Sequence, residues 1–539
     1  MSSRLSAILI ASFTALYALG AFWGLPSALT PASDSISPLG PLAFVAKYRQ
    51  ADITFIYPAV HQLIQVAFYG VVLVAAKVTG AIGAISSVWP YGFKDPSAIF
   101  SLLLAVSNLI SAVMAAFLLR TLWRMRPDPA AAQWFAIPLL GLSGVYAYYA
   151  RTANMDIPYL FWIVLAWHQL WIYLTSPASS KEVAQNELGR GGVGSRSRRW
   201  LEAATGLCAS NTRPLLLAGL FSALSAGSKD QASGIILGFG LLLLFCVPEG
   251  SGGGWEIRLR QAALFSVAVL VSYALFAIAP QPARWWQHAR FVTSDHVMPE
   301  TPGTLAGQWE VIVRCYWRLH HILTYAGLPL GLAGIAILWR RGRGRELALL
   351  LVPALAYYGF IIARVRATEE RYLLPIVIPL VLCAGVTIGA LLELPWGRKP
   401  AYALAAATLA AQLVFSFWPV TYCQMFDTKR DLQRDLATLL PLQSPIAIHR
   451  MQTFNYPNRH TYDQYRLTLP PGQAIVPTST HAANLLHPFD PSVRHVFTGT
   501  PQPPFGGSYR LIGQWVYPDW IRSHIHVPAV YEFFLHERR

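Results

Sequence analysis

Runs of roughly 20 apolar residues, the length an α-helix needs to cross bilayer hydrocarbon, recur along this chain with arginine clusters between them. The runs are continuous rather than alternating, which argues against a membrane barrel. Of 539 residues, 54% are hydrophobic and only 13% charged, too apolar for a water-soluble multidomain protein. The expected fold class is a polytopic α-helical membrane protein. The net charge of +16 gathers between the apolar runs, so it reads as topology and contact with membrane lipids, and no nucleic-acid partner is expected. Five cysteines, with Cys246 and Cys383 inside apolar runs, give no disulfide framework.

Segments able to span lie near 5–25, 98–119, 134–150, 157–175, 214–227, 232–248, 261–280, 322–339, 347–363, 372–392 and 401–420. The first has no convincing small-residue cleavage site and reads as a retained span. A further stretch, 55–82, is long and ambiguous, and the basic clusters decide its placement. Arg120, Arg124 and Arg126; Arg190, Arg196, Arg198 and Arg199; Arg258 and Arg260; Arg340, Arg341, Arg343 and Arg345; and Arg398 with Lys399 should all be cytoplasmic. With Arg4 also inside, that holds only if 55–82 lies along the interface or dips in and returns. The expectation is about eleven transmembrane helices, with interfacial helices in a first outer loop, 26–97. Asp34, Asp156, the turn Lys229-Asp230, the segment 281–320, the turn Arg364 to Arg371 and the tail after Trp418 then share the outer face. The cytoplasmic loops are mostly basic and small, including the Gly/Ser/Arg-rich 176–213.

Character changes near residue 421, which sets the expected domains at 1–420 and 421–539. The tail opens on an amphipathic stretch from Asp427 to Leu440 with leucines at helical spacing. Short apolar runs at Ile446–Ile448 and Ala474–Val476, bounded by Pro and Gly, read as strands of a small α/β domain.

Four short patterns fall on the expected outer face. Asp34-Ser-Ile-Ser-Pro-Leu is followed by Tyr57-Pro-Ala-Val-His61 opening a helix. Tyr148-Tyr-Ala-Arg151-Thr-Ala-Asn-Met-Asp156-Ile-Pro-Tyr precedes an apolar run. Gly227-Ser-Lys229-Asp230-Gln makes a turn between two spans, and Arg371-Tyr-Leu-Leu-Pro375 starts a late one. In this order and with this sidedness they resemble the GT-C superfamily of membrane glycosyltransferases, which includes protein O-mannosyltransferases and lipid A aminoarabinose transferases. The resemblance covers most of 1–420. It implies an inverting transferase in the cell inner (plasma) membrane, with its active site and C-terminal domain on the outer face. The implied donor is a sugar on a polyprenyl phosphate, and the acceptor hydroxyl or phosphate belongs to a lipid, glycan or protein. Many members carry two adjacent acids in the first loop; here the second position is Ser35.

Such a transfer needs a base for the acceptor proton and cations to steady the departing phosphate. On the residues alone Asp34 is a loop aspartate opening a Ser-Pro turn; the resemblance makes it the expected catalytic base. Asp156 reads equally as a helix N-cap before Pro158 and as a second catalytic carboxylate. Together the two aspartates are the expected ligands if a divalent cation, Mg²⁺ or Mn²⁺, is used. Arg371 and Arg364 are phosphate candidates, set against neutralisation by Glu369 and Glu370. Lys229 and Arg151 are further phosphate candidates, for which snorkelling to the interface is the simpler account. Tyr57 and His61 are expected at the substrate, against a plain interfacial role for His61.

Two other classes remain open on the sequence. A transporter or lipid flippase would be expected to place ionisable residues at mid-membrane and to show repeated halves. Here such residues mostly sit at span edges and no repeat is visible. A polytopic scaffold with a binding tail is the third.

Overall fold

The computed structural model describes residues 3–19, 58–83, 98–125, 130–175, 212–246, 254–292, 304–365, 368–426, 446–450, 494–498, 509–525 and 533–538, together with residues 36, 38, 41, 42, 428, 431, 435, 439 and 527. The helices are α1 (Ser3–Ala18), α2 (Ala59–Val78), α3 (Ala98–Arg124), α4 (Ala130–Gly141), α5 (Gly144–Ala150), α6 (Asp156–Thr175), α7 (Arg213–Ala226), α8 (Ala232–Phe245), α9 (Trp255–Tyr273), α10 (Pro282–Val292), α11 (Leu305–Arg340), α12 (Gly344–Tyr357), α13 (Glu370–Glu393), α14 (Arg398–Gln412), α15 (Trp418–Met425) and α16 (Asp519–His524). Among the described residues, eight helices are long and apolar enough to cross a membrane, and α7 and α8 are shorter apolar helices. The chain is thus a helical membrane protein, with apolar side chains such as Leu270, Val267 and Phe415 covering its outside.

Contacts sort the helix termini into two ends of one bundle. At the first end, the start of α6 meets the turn after α7 through Lys229 and Asp156, and α11 meets the start of α13 through Arg318 and Glu370. At the second end, Arg341 pairs with Glu393 at 2.6 Å and Arg345 donates to the Leu174 carbonyl. Gln261, early in α9, donates to the carbonyls of Leu243 and Cys246. The described acidic turns therefore share one end, and most of the described arginines from the interhelical clusters share the other.

α13 is the central helix, buried along nearly all of Leu373–Gly389. α11 reaches it through Gly334, where a Cβ would fall inside the Cys383 carbonyl; only glycine lets the backbones approach this closely. Thr387 secures the contact by donating to the Leu330 carbonyl at 2.7 Å. α11 itself is bent at Thr324 (φ 56, ψ 175). Pro329 supplies a cause, since it leaves the Tyr325 carbonyl without its helical donor.

The structure divides one expected span. Residues 134–150 form α4 and α5 with a break at Leu142–Ser143, because the Gly144 amide donates 2.8 Å to Ser416 Oγ and its Cα lies against the Ser416 carbonyl. The stretch 55–82 contains α2, whose first amides meet the first end: Val60 N donates to the Gly227 carbonyl at 2.9 Å. The expected domain boundary at 420 falls inside the helix that runs from Arg398 to Met425. Beyond it, β1 (Ile446–Arg450), β2 (Arg494–Thr498), β3 (Tyr509–Trp515) and β4 (Phe533–Arg538) make a sheet in the order β1-β2-β4-β3, with β1 and β2 parallel. α16 packs on α15 through Cys423, Tyr517 and Ile521. The strand expected at 474–476 and most of the amphipathic stretch 427–440 lie outside the described residues.

Candidate active site

Asp156 begins α6, and no cap bond from its side chain is present among the described residues. Its Oδ1 instead lies 2.5 Å from Lys229 Nζ, with side-chain exposures of 0% and 5%. Lys229 reaches it because α7 ends at Ala226 and the chain turns through Gly227 and Ser228, the Lys229 amide donating to the Ser225 carbonyl at 2.9 Å. A buried charge is costly unless paired, so this pair is held by both partners' need for it. Asp156 Oδ2 is also buried and has no hydrogen-bond partner among the described residues.

Two tyrosines wall the ammonium. Lys229 Nζ lies 5.0 Å from the ring centroid of Tyr372 and 5.4 Å from that of Tyr159. Arg371 shares the Tyr372 ring, its Cζ 4.8 Å from the centroid, and pairs with Glu369 at 2.9 Å. Ring faces of this kind favour cations, so two positive groups are kept together where neither is fully solvated. The neighbouring Glu370 takes other partners, Arg318 Nη1 at 3.4 Å and His321 Nδ1 at 3.1 Å.

The stretch between α1 and α3 meets the same end twice. Ile36 N donates to the Ala153 carbonyl at 2.6 Å, and Val60 N binds the Gly227 carbonyl. His61 follows, fully buried, with neither ring nitrogen partnered among the described residues. Asp34 and Tyr57 lie outside the described residues. Asp156, Lys229 and Arg371 are therefore brought together at the end that the first loop reaches.

Arg151 and Arg364 are placed differently. Arg151 is buried, donates to Gln424 Oε1 and, at 3.1 Å, to the Leu16 carbonyl, and faces the Phe417 ring at 5.1 Å. Burial pulls its guanidinium down to about 10, with Tyr17 opposing, so it stays cationic near neutrality. Its known contacts tie α1, α5 and α15 together. Arg364 is exposed on the last turn, Ala363–Val365, of the helical stretch that continues α12.

Sequence reasoning missed the pair of Asp230 and His288. Nε2 of the buried His288 lies 2.6 Å from Asp230 Oδ2, docking α10 beside the Lys229 turn. The available signal was the composition of Pro282–Val292, in which Arg284, His288 and the tryptophans recur at helical spacing.

No family model matches the chain, and no curated protein matches it. Among solved structures it is similar to apo ArnT from Cupriavidus metallidurans, at 11% identity and TM-score 0.48, over 99% of this chain and 98% of that one. It is similar to the Archaeoglobus fulgidus oligosaccharyltransferase AglB in complex with an inhibitory peptide and a dolichol-phosphate, at 11% identity and TM-score 0.47, over 87% of this chain and 60% of that one. The S. cerevisiae protein O-mannosyltransferase Pmt1-Pmt2 complex bound to the sugar donor gives 13% identity and TM-score 0.34, over 51% of this chain and 34% of that one. The chain thus spans about a third of the length of that mannosyltransferase. At such identities, and with TM-scores below 0.5, no activity or substrate is carried over from these proteins.

Proposed function

We propose that this chain is an inverting GT-C-type glycosyltransferase of the cell inner (plasma) membrane. It moves a sugar from a polyprenyl-phosphate donor to a hydroxyl or phosphate of a lipid, glycan or protein at the outer face. The observation that carries this reading is the gathering of Lys229, Asp156 and Arg371 at the bundle end reached by the first loop.

In this reading Asp34 takes the proton of the acceptor as its oxygen attacks the anomeric carbon. The bond from that carbon to the donor phosphate breaks, and its electron pair leaves on the phosphate oxygen. Lys229 and Arg371 stabilise that charge, which is worth most in a site of low dielectric constant. Asp156 orients Lys229 and offsets part of its charge before the phosphate arrives. In this reading the stretch 55–82 lies along the outer interface without crossing, and the tail domain is on the same face.

A divalent cation held by Asp34 and Asp156 fits the described residues poorly. Oδ1 of Asp156 already faces an ammonium, which repels a second cation. No step is routed through a metal.

The test is transfer from radiolabelled polyprenyl-phosphate sugars in native membranes, comparing wild type with Asp34→Asn and Lys229→Met at equal expression. Loss of transfer in both is expected. Asp34→Asn retaining activity within a few-fold would remove the base assigned here, and absence of transfer by wild type across donors and acceptors would remove the enzyme reading.

A further inference from the structure

A polar seam runs between α2 and α3. Gln65 Nε2 donates to Ser107 Oγ at 3.2 Å, and the Tyr69 hydroxyl meets the same Ser107 at 2.5 Å. These contacts set the polar face of α2 against α3. His61, Gln62, Gln65 and Tyr69 fall within about a third of the α2 circumference at 3.6 residues per turn. His61, Gln62, Gln65, Ser107 and Asn108 are each at most 4% exposed.

The seam is built for more hydrogen bonds than it makes. Both ring nitrogens of His61 and the carbonyl oxygens of Gln62, Gln65 and Asn108 are buried without a partner among the described residues. Buried polar atoms are normally satisfied, and a set of them on one face, unpartnered among the described residues, suits a group that offers several donors. Its chemistry follows from the atoms. Three are amide oxygens, which accept only, and a neutral imidazole adds one acceptor and one donor. A phosphate, which only accepts, cannot donate to those three oxygens, whereas a neutral ring bearing several hydroxyls can donate to them and accept from the imidazole. The seam also adjoins the proposed phosphate cations, since Val60, one residue before His61, is bonded to Gly227, two residues before Lys229.

We propose that the face formed by His61, Gln62, Gln65 and Asn108 seats the hydroxyls of a sugar ring, on the donor or on a glycan acceptor. This rests on the transferase reading and adds a sugar seat separate from the phosphate cations.

The experiment measures binding to purified wild type, Gln62→Leu and Gln65→Met. The probes are undecaprenyl phosphate, a panel of undecaprenyl-phosphate-linked hexoses and pentoses, and the corresponding methyl glycosides. Gln62→Leu removes an unpartnered oxygen and is expected to fold; Gln65→Met is the second variant and also loses the Ser107 bond. The expected result is at least tenfold tighter wild-type binding of one sugar-bearing lipid than of the bare lipid phosphate, with both variants losing that surplus and keeping bare-lipid affinity within twofold. Loss confined to a methyl glycoside assigns the seat to the acceptor and also supports the proposal. Sugar preference retained in the variants, or no sugar preference in wild type, overturns it. A preference that depends on Gln62 in a protein that transfers no sugar would sink the transferase reading and leave the seat standing.

Discussion

Lys229 Nζ and Asp156 Oδ1 meet at 2.5 Å although 73 residues separate them, and both side chains are withdrawn from solvent. An ion pair so placed is more valuable as a fixed arrangement than as a source of stability, because desolvation cancels much of its attraction. Breaking it from one side is another matter. Lys229→Met leaves a buried carboxylate unpaired and should cost about 3–5 kcal/mol. The double variant Lys229→Met with Asp156→Leu should recover most of that in thermal unfolding while remaining inactive in transfer. Recovery of activity by the double variant would show that the ammonium is not used on the phosphate.

Arg371 offers a planar fork beside the Tyr372 ring, and lysine keeps its charge but not that shape. Arg371→Lys should lower kcat by about 10²-fold, in the range found for losing one donor to developing negative charge. KM for the donor should change less. A variant whose KM alone rises would place Arg371 in ground-state binding.

Transfer should survive chelation. With Lys229 already on Asp156, wild-type membranes treated with excess EDTA are expected to keep activity within about twofold, since an ammonium already stands where a metal would be needed. Abolition by EDTA and restoration by Mg²⁺ or Mn²⁺ would instead make the two aspartates a metal site.

Gly334→Val should be among the most damaging changes outside the site. Its side chain has no room between α11 and the Cys383 carbonyl, and overpacking costs typically about 1–3 kcal/mol, occasionally more. The readout is midpoint temperature in detergent. An equivalent change at Gly240, where nothing lies within 4 Å of an added Cβ, should be tolerated and serves as its control.

Much of this arrangement was legible because membrane helices declare themselves locally. Continuous apolar runs set α6 and α13 close to their observed bounds, and the sign of flanking charge anticipated which turns share an end. Asp156, Lys229 and Arg371 stood out as ionisable residues at run edges. Their partnership did not, because it depends on α6, α7 and α13 packing side by side. The same limit hid His288 and Asp230, which lie 58 residues apart. It also left Arg151 ambiguous: its motif suggested substrate, while Gln424, Leu16 and Phe417, which surround it, come from distant parts of the chain. The break before Gly144 was invisible for a related reason, since Ser416 supplies it.

The bond from Arg151 to Gln424 also imposes a schedule on synthesis. Its partners are 273 residues apart, so a ribosome adding about 5–20 residues per second needs roughly 14–55 s to deliver the second after the first. Throughout that interval the guanidinium can rely on the Leu16 carbonyl, already made, but not on Gln424 or Phe417. The early helices must therefore wait in the insertion machinery, or keep Arg151 at a wet edge, until α15 arrives. A nascent chain arrested before residue 417 should accordingly leave Arg151 open to water-borne reagents, and release of the full chain should close it.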